Sequence, residues 1–306
     1  MKILIFGSNG LVGSSTSNIL KENKNFKIIS ATRNDVDLFD LKKTNIFIKD
    51  IEPNVIINAA AKVGGIVANN TNRVDFLLEN LKINMNIIES IIHNVNISLI
   101  NLGSSCIYPL NASNPINENS LMDGKLEPTN SPYAMAKLTS IELADSLSKQ
   151  YGHKIINLMP TNLYGPNDNF DNNSSHVIPG LLARMHKAKL FNKDEFEVWG
   201  TGMPKREFLF VDDLARCISF VIENKIDDNL INIGSGFEVS IKELVNLIQS
   251  IVGYKGKINF NTSKPDGNPR KLLDSSKINK YGWKATTDLV EGLELTYKWY
   301  IKNFIK

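Results

Sequence analysis

The sequence predicts an α/β fold, a doubly wound parallel sheet with a smaller C-terminal α/β substrate lobe, and three observations predict it. Short β-rich runs alternate with longer amphipathic stretches through the first half; the first run leads straight into a glycine-rich turn; and the alternation stops near Gly165. Alternation at this spacing builds right-handed βαβ crossovers, which lay their strands parallel.

The elements follow in order. Strands are expected at 2–6, 27–31, 55–58, 98–102 and 154–159, each a nearly continuous apolar run, as in a sheet covered on both faces. Helices are expected between them at 11–24, 41–51, 75–94 and 131–151. Past Gly165 comes a loop rich in Asn, Asp and Ser (167–175), then a helix at 176–189 and short strands near 196–199 and 208–211. The next helix, 212–223, sets Leu214, Ile218, Val221 and Ile222 on one face. Residues 231–306 hold two more helices, 241–252 and 289–304, around a loop carrying Lys264-Pro265-Asp266-Gly267. The expected division is a Rossmann-type domain at 1–165, with part of 206–235 returning to it, and a substrate lobe made of 166–205 and 236–306.

Bulk composition narrows the function. With 306 residues, 42% hydrophobic and 22% charged, the chain has the balance of a globular protein. A net charge of +3 leaves no electrostatic footprint for nucleic acid, and no basic run or long apolar stretch suggests a membrane. The apolar run after Lys2 is far shorter than a signal-peptide core. Two cysteines, Cys106 and Cys217, lie in unrelated contexts and make no disulfide framework, so a reduced, cytoplasmic protein is expected. No histidine or cysteine spacing suits a metal site.

Gly7-Ser8-Asn9-Gly10-Leu11-Val12-Gly13 closes the first strand and opens the first helix. Glycines there allow a tight turn and a close approach to a pyrophosphate, which the helix N-terminus then stabilises. The second strand ends at Ser30-Ala31-Thr32-Arg33, with no acid at the tip to bond a ribose 2′-hydroxyl. Arg33 suits a 2′-phosphate, which favours NADP(H) over NAD; the alternative is a solvated arginine.

Tyr133 and Lys137 open the helix at 131 on one face, four residues apart. A phenol beside an ammonium and a nicotinamide ribose is expected to be stabilised as phenolate, its pKa moving toward neutrality for proton exchange with a carbonyl or alcohol. Ser104 follows the fourth strand, at the sheet end where such folds bind ligands, and completes a triad. Cys106 lies two positions on, and His176 opens a helix. A 4-keto sugar has acidic protons on both flanking carbons, so a thiolate base and a histidine acid could invert them; equally, Cys106 could be a small buried residue and His176 a polar helix start. Cys217 sits on the apolar side of a helix and is read as core.

Longer stretches carry a resemblance. Asn58-Ala59-Ala60-Ala61-Lys62-Val63-Gly64-Gly65-Ile66, Gly103-Ser104-Ser105-Cys106-Ile107-Tyr108-Pro109, Glu127-Pro128-Thr129-Asn130, Pro160-Thr161-Asn162-Leu163-Tyr164-Gly165-Pro166, Ser175-His176-Val177-Ile178-Pro179 and Arg206-Glu207-Phe208-Leu209 resemble the extended short-chain dehydrogenase/reductases, and within them the GDP-L-fucose synthase family. The resemblance implies a bifunctional enzyme that epimerises GDP-4-keto-6-deoxy-D-mannose at C3 and C5 and reduces it at C4 with NADPH. It implies Cys106 as base and His176 as acid, with Tyr133 as proton donor supported by Ser104 and Lys137. For the cofactor it implies the glycine loop, Arg33, Ala59, Ala60, Lys62, Leu102, Gly103, Ser104, Ser105, Lys137, Pro160, Thr161, Asn162, Leu163 and His176. For the GDP-sugar it implies Asn162, Val177, Arg184, Trp199, Arg206 and Asp266, the arginines being suited to a diphosphate. It also implies a homodimer through a four-helix bundle of helices 75–94 and 131–151.

Two departures stand out: Asn9 replaces an arginine frequent in the family's glycine loop, and Phe210 replaces the usual histidine before Val211-Asp212-Asp213. The rival reading is an epimerase-reductase, or a reductase alone, acting on a related sugar such as a GDP-6-deoxyheptose. A non-catalytic NADP-binding scaffold would keep the glycine loop but lose the tyrosine or lysine, and both are present.

Overall fold

The computed structural model describes residues 1–171, 174–264 and 266–305. Asn172 and Asn173 of the expected Asn-rich loop, and Pro265 of the 264–267 loop, lie outside the described residues.

Six strands form one parallel sheet: β1 (Lys2–Phe6), β2 (Lys27–Ala31), β3 (Val55–Asn58), β4 (Ser98–Leu102), β5 (Ile155–Pro160) and, returning late in the chain, β9 (Leu230–Ile233), in the order β2-β1-β3-β4-β5-β9. Helices α1 (Leu11–Lys21) and α7 (Val211–Glu223) cover one face, where Ile3, Ile5 and Ile57 meet Leu20, Leu214 and Cys217. Helices α2 (Leu41–Ile51), α4 (Arg73–Ile91) and α5 (Ser131–Tyr151) cover the other, where Leu4, Phe6 and Ile56 meet Ile48, Ile87 and Leu147. Successive side chains of a strand point to opposite faces, so burial on both sides requires the unbroken apolar runs seen in the sequence.

One row across this sheet is polar. Asn58, Asn101 and Asn157 stand in register on β3, β4 and β5. The Asn101 amide donates to Asn157 Oδ1 and to Ser140 Oγ of α5, each at 2.9 Å, and Asn58 donates to Asn84 Oδ1 of α4 at 2.8 Å. Satisfied in this way, buried amides tie α4 and α5 to the carboxyl ends of the strands.

Outside this sheet lie β6 (Asn162–Tyr164), α6 (Val177–Leu190), β7 (Glu195–Trp199), β8 (Lys205–Phe210), β10 (Glu238–Ser240), α8 (Ile241–Val252), β11 (Lys257–Asn261), β12 (Arg270–Lys271) and α10 (Leu289–Phe304). Strand β8 pairs with β6, β10 and β12, while β7 pairs in parallel with β11. The sequence reading lacked α3 (Ile66–Thr71), α9 (Ser276–Lys280), β6 and β9 to β12. Each is short, and most are held by partners distant along the chain. Phe210 is buried against Tyr164, with ring centroids 5.7 Å apart, so the residue that departs from the family pattern serves the core.

Candidate active site

The strand order reverses between β1 and β3, and the crevice outside the carboxyl ends at such a switch is where doubly wound sheets bind ligands. Gly7 leaves β1 with φ +75°, and a Cβ there would lie 2.7 Å from Ala60 N, so the turn presses on the chain leaving β3. A Cβ at Gly13 would lie 2.2 Å from the Gly7 carbonyl, so α1 can seat on the loop only if that position is bare. Gly10 differs. Its nearest neighbour would be the Gly7 carbonyl at 3.5 Å, an ordinary contact, so folding does not demand glycine there. No side chain caps α1 and its first turn holds no acid, which leaves its amides and positive dipole end open to an anion. Nearby, Ser8 Oγ donates to the Ala31 carbonyl, 3.0 Å, joining the loop to the β2 tip.

At that tip Arg33 is exposed and makes no ion pair among the described residues. Asp35, the first acid beyond it, turns its carboxylate back to accept from Thr32 N and Oγ1, both at 2.7 Å. Lys62 reaches Glu79 at 2.6 Å and Asp75 at 3.6 Å. Its ammonium is therefore committed to α4, and its backbone N–H and carbonyl are both bonded to the Asn80 side chain of the same helix, at 3.0 Å each.

The helix α5 begins with Ser131 and Pro132, which suits the first turn, and so presents Tyr133 and Lys137 beside the end of β4. Lys137 is buried, 3% exposed; its Nζ donates to the Leu102 carbonyl at 2.7 Å and stands 5.8 Å from the centre of the Tyr133 ring. Desolvation pushes the ammonium down to about 8. In the protein alone the Lys137 ammonium does not acidify Tyr133. Burial, then the neighbouring Cys106, raises the phenol's pKa, and only the hydrogen bond with Ser104 opposes them. The phenol is consequently held protonated, the form required of a proton donor.

Ser104, Cys106, Tyr133 and Lys137 thus meet. Ser104 Oγ accepts from Cys106 N at 3.2 Å, and Cys106 lies within electrostatic reach of both Tyr133 and Arg206. His176 precedes α6 on a loop that sits on the Gly64-Gly65 turn: Gly65 N donates to the Ser174 carbonyl at 3.0 Å, and a Cβ at 65 would strike the Ser175 carbonyl at 2.6 Å. Phe76, touching the same turn, meets Tyr133 edge-on at 6.4 Å. On the far side Asp266 accepts from Thr201 N and Oγ1, at 2.6 and 2.8 Å, closing the loop after Trp199, while Gly267 abuts Arg206. Trp199 remains 54% exposed, with Lys264 over its ring at 5.6 Å.

Three cations, Lys137, Arg184 and Arg206, are each destabilised as cations chiefly by desolvation, and the same cause lowers the pKa of His176 and favours its neutral imidazole. His176 nevertheless keeps exposed surface, and Arg184 and Arg206 keep some, as side chains lining a concave cleft do. A cleft that gathers poorly solvated cations favours a polyanionic ligand.

The sequence reading passed over Glu207. Fully buried next to Arg206, it accepts from Gly236 N at 2.8 Å and Leu273 N at 3.0 Å, and burial raises its pKa. Its carbonyl accepts from Thr161 Oγ1 and Asn162 Nδ2, at 3.2 and 2.8 Å, fixing two predicted site residues and joining β8 to the end of β5. Val177 follows His176 at the start of α6, and Leu163 pairs with Leu209 of β8. A signal was present: a charged residue beside another charge on a short strand must point inward if its neighbour points out.

Comparison with known proteins adds the following. The model of the NAD dependent epimerase/dehydratase family matches residues 3–234. The chain is 46% identical over 305 residues to "Probable GDP-L-fucose synthase 1" of Oryza sativa subsp. japonica, covering 99% of this chain and 93% of that protein. It is 43% identical over 311 residues to "GDP-L-fucose synthase" of Escherichia coli (strain K12), covering 99% and 97%. Among solved structures it superposes on "MlghC, GDP-mannoheptose C4 reductase from Campylobacter jejuni with NADP bound" with a TM-score of 0.88, at 34% identity and 98% coverage of both chains.

Proposed function

The chain belongs to the NAD dependent epimerase/dehydratase family, and from that premise we propose that it converts GDP-4-keto-6-deoxy-D-mannose to GDP-L-fucose, epimerising C3 and C5 and then reducing C4 with NADPH. The observation that carries this reading is the meeting of Tyr133, Ser104, Lys137 and Cys106 at the end of β4, with Arg206 within electrostatic reach of Cys106. Curated relatives at 43–46% identity over the whole chain bear the fucose synthase name, which supports the same sugar.

The residues fit a dinucleotide with a 2′-phosphate: Gly10 is bare without a structural need, α1 is uncapped, and Arg33 is unpaired beside an Asp35 turned away. NADPH, when bound, supplies the hydride for C4. Tyr133 gives its phenolic proton to O4, steadied by the Ser104 hydroxyl. Lys137 supports the phenol electrostatically while anchored to Leu102. For epimerisation, Cys106 removes the proton from C3, and then from C5, each made acidic by the C4 carbonyl, and His176 returns one on the opposite face. Ser104 and Tyr133 stabilise the charge that gathers on O4 meanwhile. Arg184 and Arg206 hold the diphosphate, with Trp199 and the Asp266 loop at the mouth. Residues 1–165 with the return through α7 and β9 form the cofactor domain, and the remainder carries the sugar nucleotide.

Product identification by NMR, after incubation with NADPH and the mannose-derived ketosugar, tests the reading. Formation of GDP-L-fucose sustains it. The structural likeness to a heptose C4 reductase favours a second reading, reduction of a related GDP-heptose. Turnover with a GDP-4-keto-heptose and none with the deoxymannose sugar would select it.

Removing Arg33 tests the cofactor assignment. Arg33→Ala is expected to raise the KM for NADPH by about tenfold to a hundredfold, the worth of a charge-assisted phosphate bond, and to leave that for NADH nearly unchanged. Equal effects on both cofactors would take Arg33 out of the site.

No helix among the described residues is long and apolar enough to cross a membrane. We place the enzyme in the cytoplasm, as a homodimer through a four-helix bundle of α4 and α5. Support comes from Val74, Leu78 and Met85, all exposed along one side of α4 next to α5, whose Met135 is exposed too. A self-complementary ridge of this kind suits a twofold contact. Leu78→Glu with Met85→Glu is expected to halve the mass measured by light scattering, to the 34.2 kDa of one chain.

A further inference from the structure

Cys106 sits in a one-turn 3-10 helix, Ser105–Ile107. Such a turn has poor hydrogen-bond geometry, so its pose must be fixed by its surroundings. One restraint is Ser104, whose hydroxyl accepts from Cys106 N. The other is Tyr108, which ends the turn. Its ring is only 2% exposed, and its hydroxyl donates to Asn232 Oδ1 at 2.6 Å. Asn232 itself cannot swing. It lies on β9 opposite Met159, its N–H donates to Glu118 Oε1 at 2.9 Å, and its amide donates to the Ile116 and Asp274 carbonyls at 2.9 and 3.3 Å. The outermost strand, the 108–118 segment and the chain near 274 therefore meet in one hydrogen-bonded knot, and the Tyr108 hydroxyl is its link to the turn that bears Cys106.

Tyr133 and Lys137 are carried by α5, whose Leu138 and Ile141 pack with the Tyr108 ring, and Lys137 is tied to the Leu102 carbonyl ahead of the turn; what is separate from that helix is the bond made by the Tyr108 hydroxyl. We propose that Tyr108, through its bond to Asn232, is the positioning residue for epimerisation: it holds the Cys106 sulfur against the sugar, and the reductive step does not depend on it. This rests on the reading of Cys106 as the base. A sub-ångström shift of a reacting group is enough to slow a proton transfer severely, whereas a hydride transfer supported elsewhere is unaffected.

The experiment uses the full-length Tyr108→Phe protein, which keeps the ring in its pocket. Solvent deuterium incorporation at C3 and C5 of the deoxymannose ketosugar is expected to fall by about tenfold to a hundredfold, while NADPH oxidation with an already epimerised ketosugar stays within about threefold of wild type. Asn232→Ser, which withdraws the acceptor, should show the same split and serves if Tyr108→Phe does not fold. Equal losses in both reactions, or no loss of exchange, would overturn the proposal. A wild-type enzyme without exchange, or a Cys106→Ser enzyme that retains it, would instead remove the reading of Cys106, and the proposal with it.

Discussion

Tyr133→Phe is expected to lower the rate of ketosugar reduction by about a hundredfold to ten-thousandfold, the usual worth of a placed general acid. Phenylalanine fills the same space and keeps the edge contact with Phe76, so the loss reports the missing proton and not a collapsed site. Deuterium exchange at C3 and C5 should fall less, because Cys106 and His176 carry its protons and Ser104 still donates to the charge that gathers on O4. NADPH consumption and exchange, measured on one preparation, separate the two; a variant that reduces at the wild-type rate would remove Tyr133 as donor. The pH dependence follows from Lys137, pushed down to about 8. As pH rises through that value the ammonium loses its proton and its support of the phenol, so reduction should decline on the alkaline side near pH 8. Stability runs the other way. An unfolded lysine titrates near ~10.4, so between about 8 and 10.4 the unfolded chain binds more protons than the folded one, and this residue adds stability as pH rises through that window. The melting temperature of wild type relative to Lys137→Met, followed from pH 7 to 10, measures it.

Cys106→Ser is the second large effect. A serine hydroxyl is a far weaker base than a thiolate, so incorporation of deuterium at C3 and C5 should fall by at least about a hundredfold. Reduction of an epimerised ketosugar should persist, because the Ser104 hydroxyl and the protonated Tyr133 are untouched. The substitution nearly conserves volume, and the backbone N–H of residue 106 still donates to Ser104, so the turn keeps its shape. Cys217, buried within α7, gives an internal contrast: Cys217→Ser places a hydroxyl in the core and should cost stability without a selective loss of exchange.

How much was legible depends on where each signal resides. The expected bounds of α5, 131–151, are those observed, because both ends are written locally: Pro132 in the first turn and Gly152 in a left-handed cap at φ +79°. Helix α8 is similarly explicit, opened by the Ser240–Glu243 capping box and closed by Gly253. Strand β9 escaped because Leu230-Ile231-Asn232-Ile233 has meaning only against β5, some seventy residues earlier. In the site, Ser104, Tyr133 and Lys137 could be read because covalent spacing fixes them on one strand end and one helix face. Asn232 could not be read as a partner of that site, since its role exists only through Tyr108 and Glu118, and for Glu207 the sequence offered an inward direction but not its partners Leu273 and Gly236. The sequence likewise placed an ammonium near Tyr133 but not the Leu102 carbonyl to which Lys137 Nζ donates.

The row of Asn58, Asn101 and Asn157 bears on how the chain finds this site at all. Runs of Ile, Val and Leu discriminate poorly between one alignment of parallel strands and the next, since a displaced isoleucine is still greasy. Amides do discriminate. Sliding β4 by one residue would swing Asn101 to the α1 and α7 side, away from Ser140 and Asn157, leaving several buried polar groups without partners at about 1–3 kcal/mol each. The row therefore acts as a proofreading device during assembly. It rejects misaligned sheets at the strand ends where cofactor and sugar must later meet, and it does so before any ligand is there to test the result.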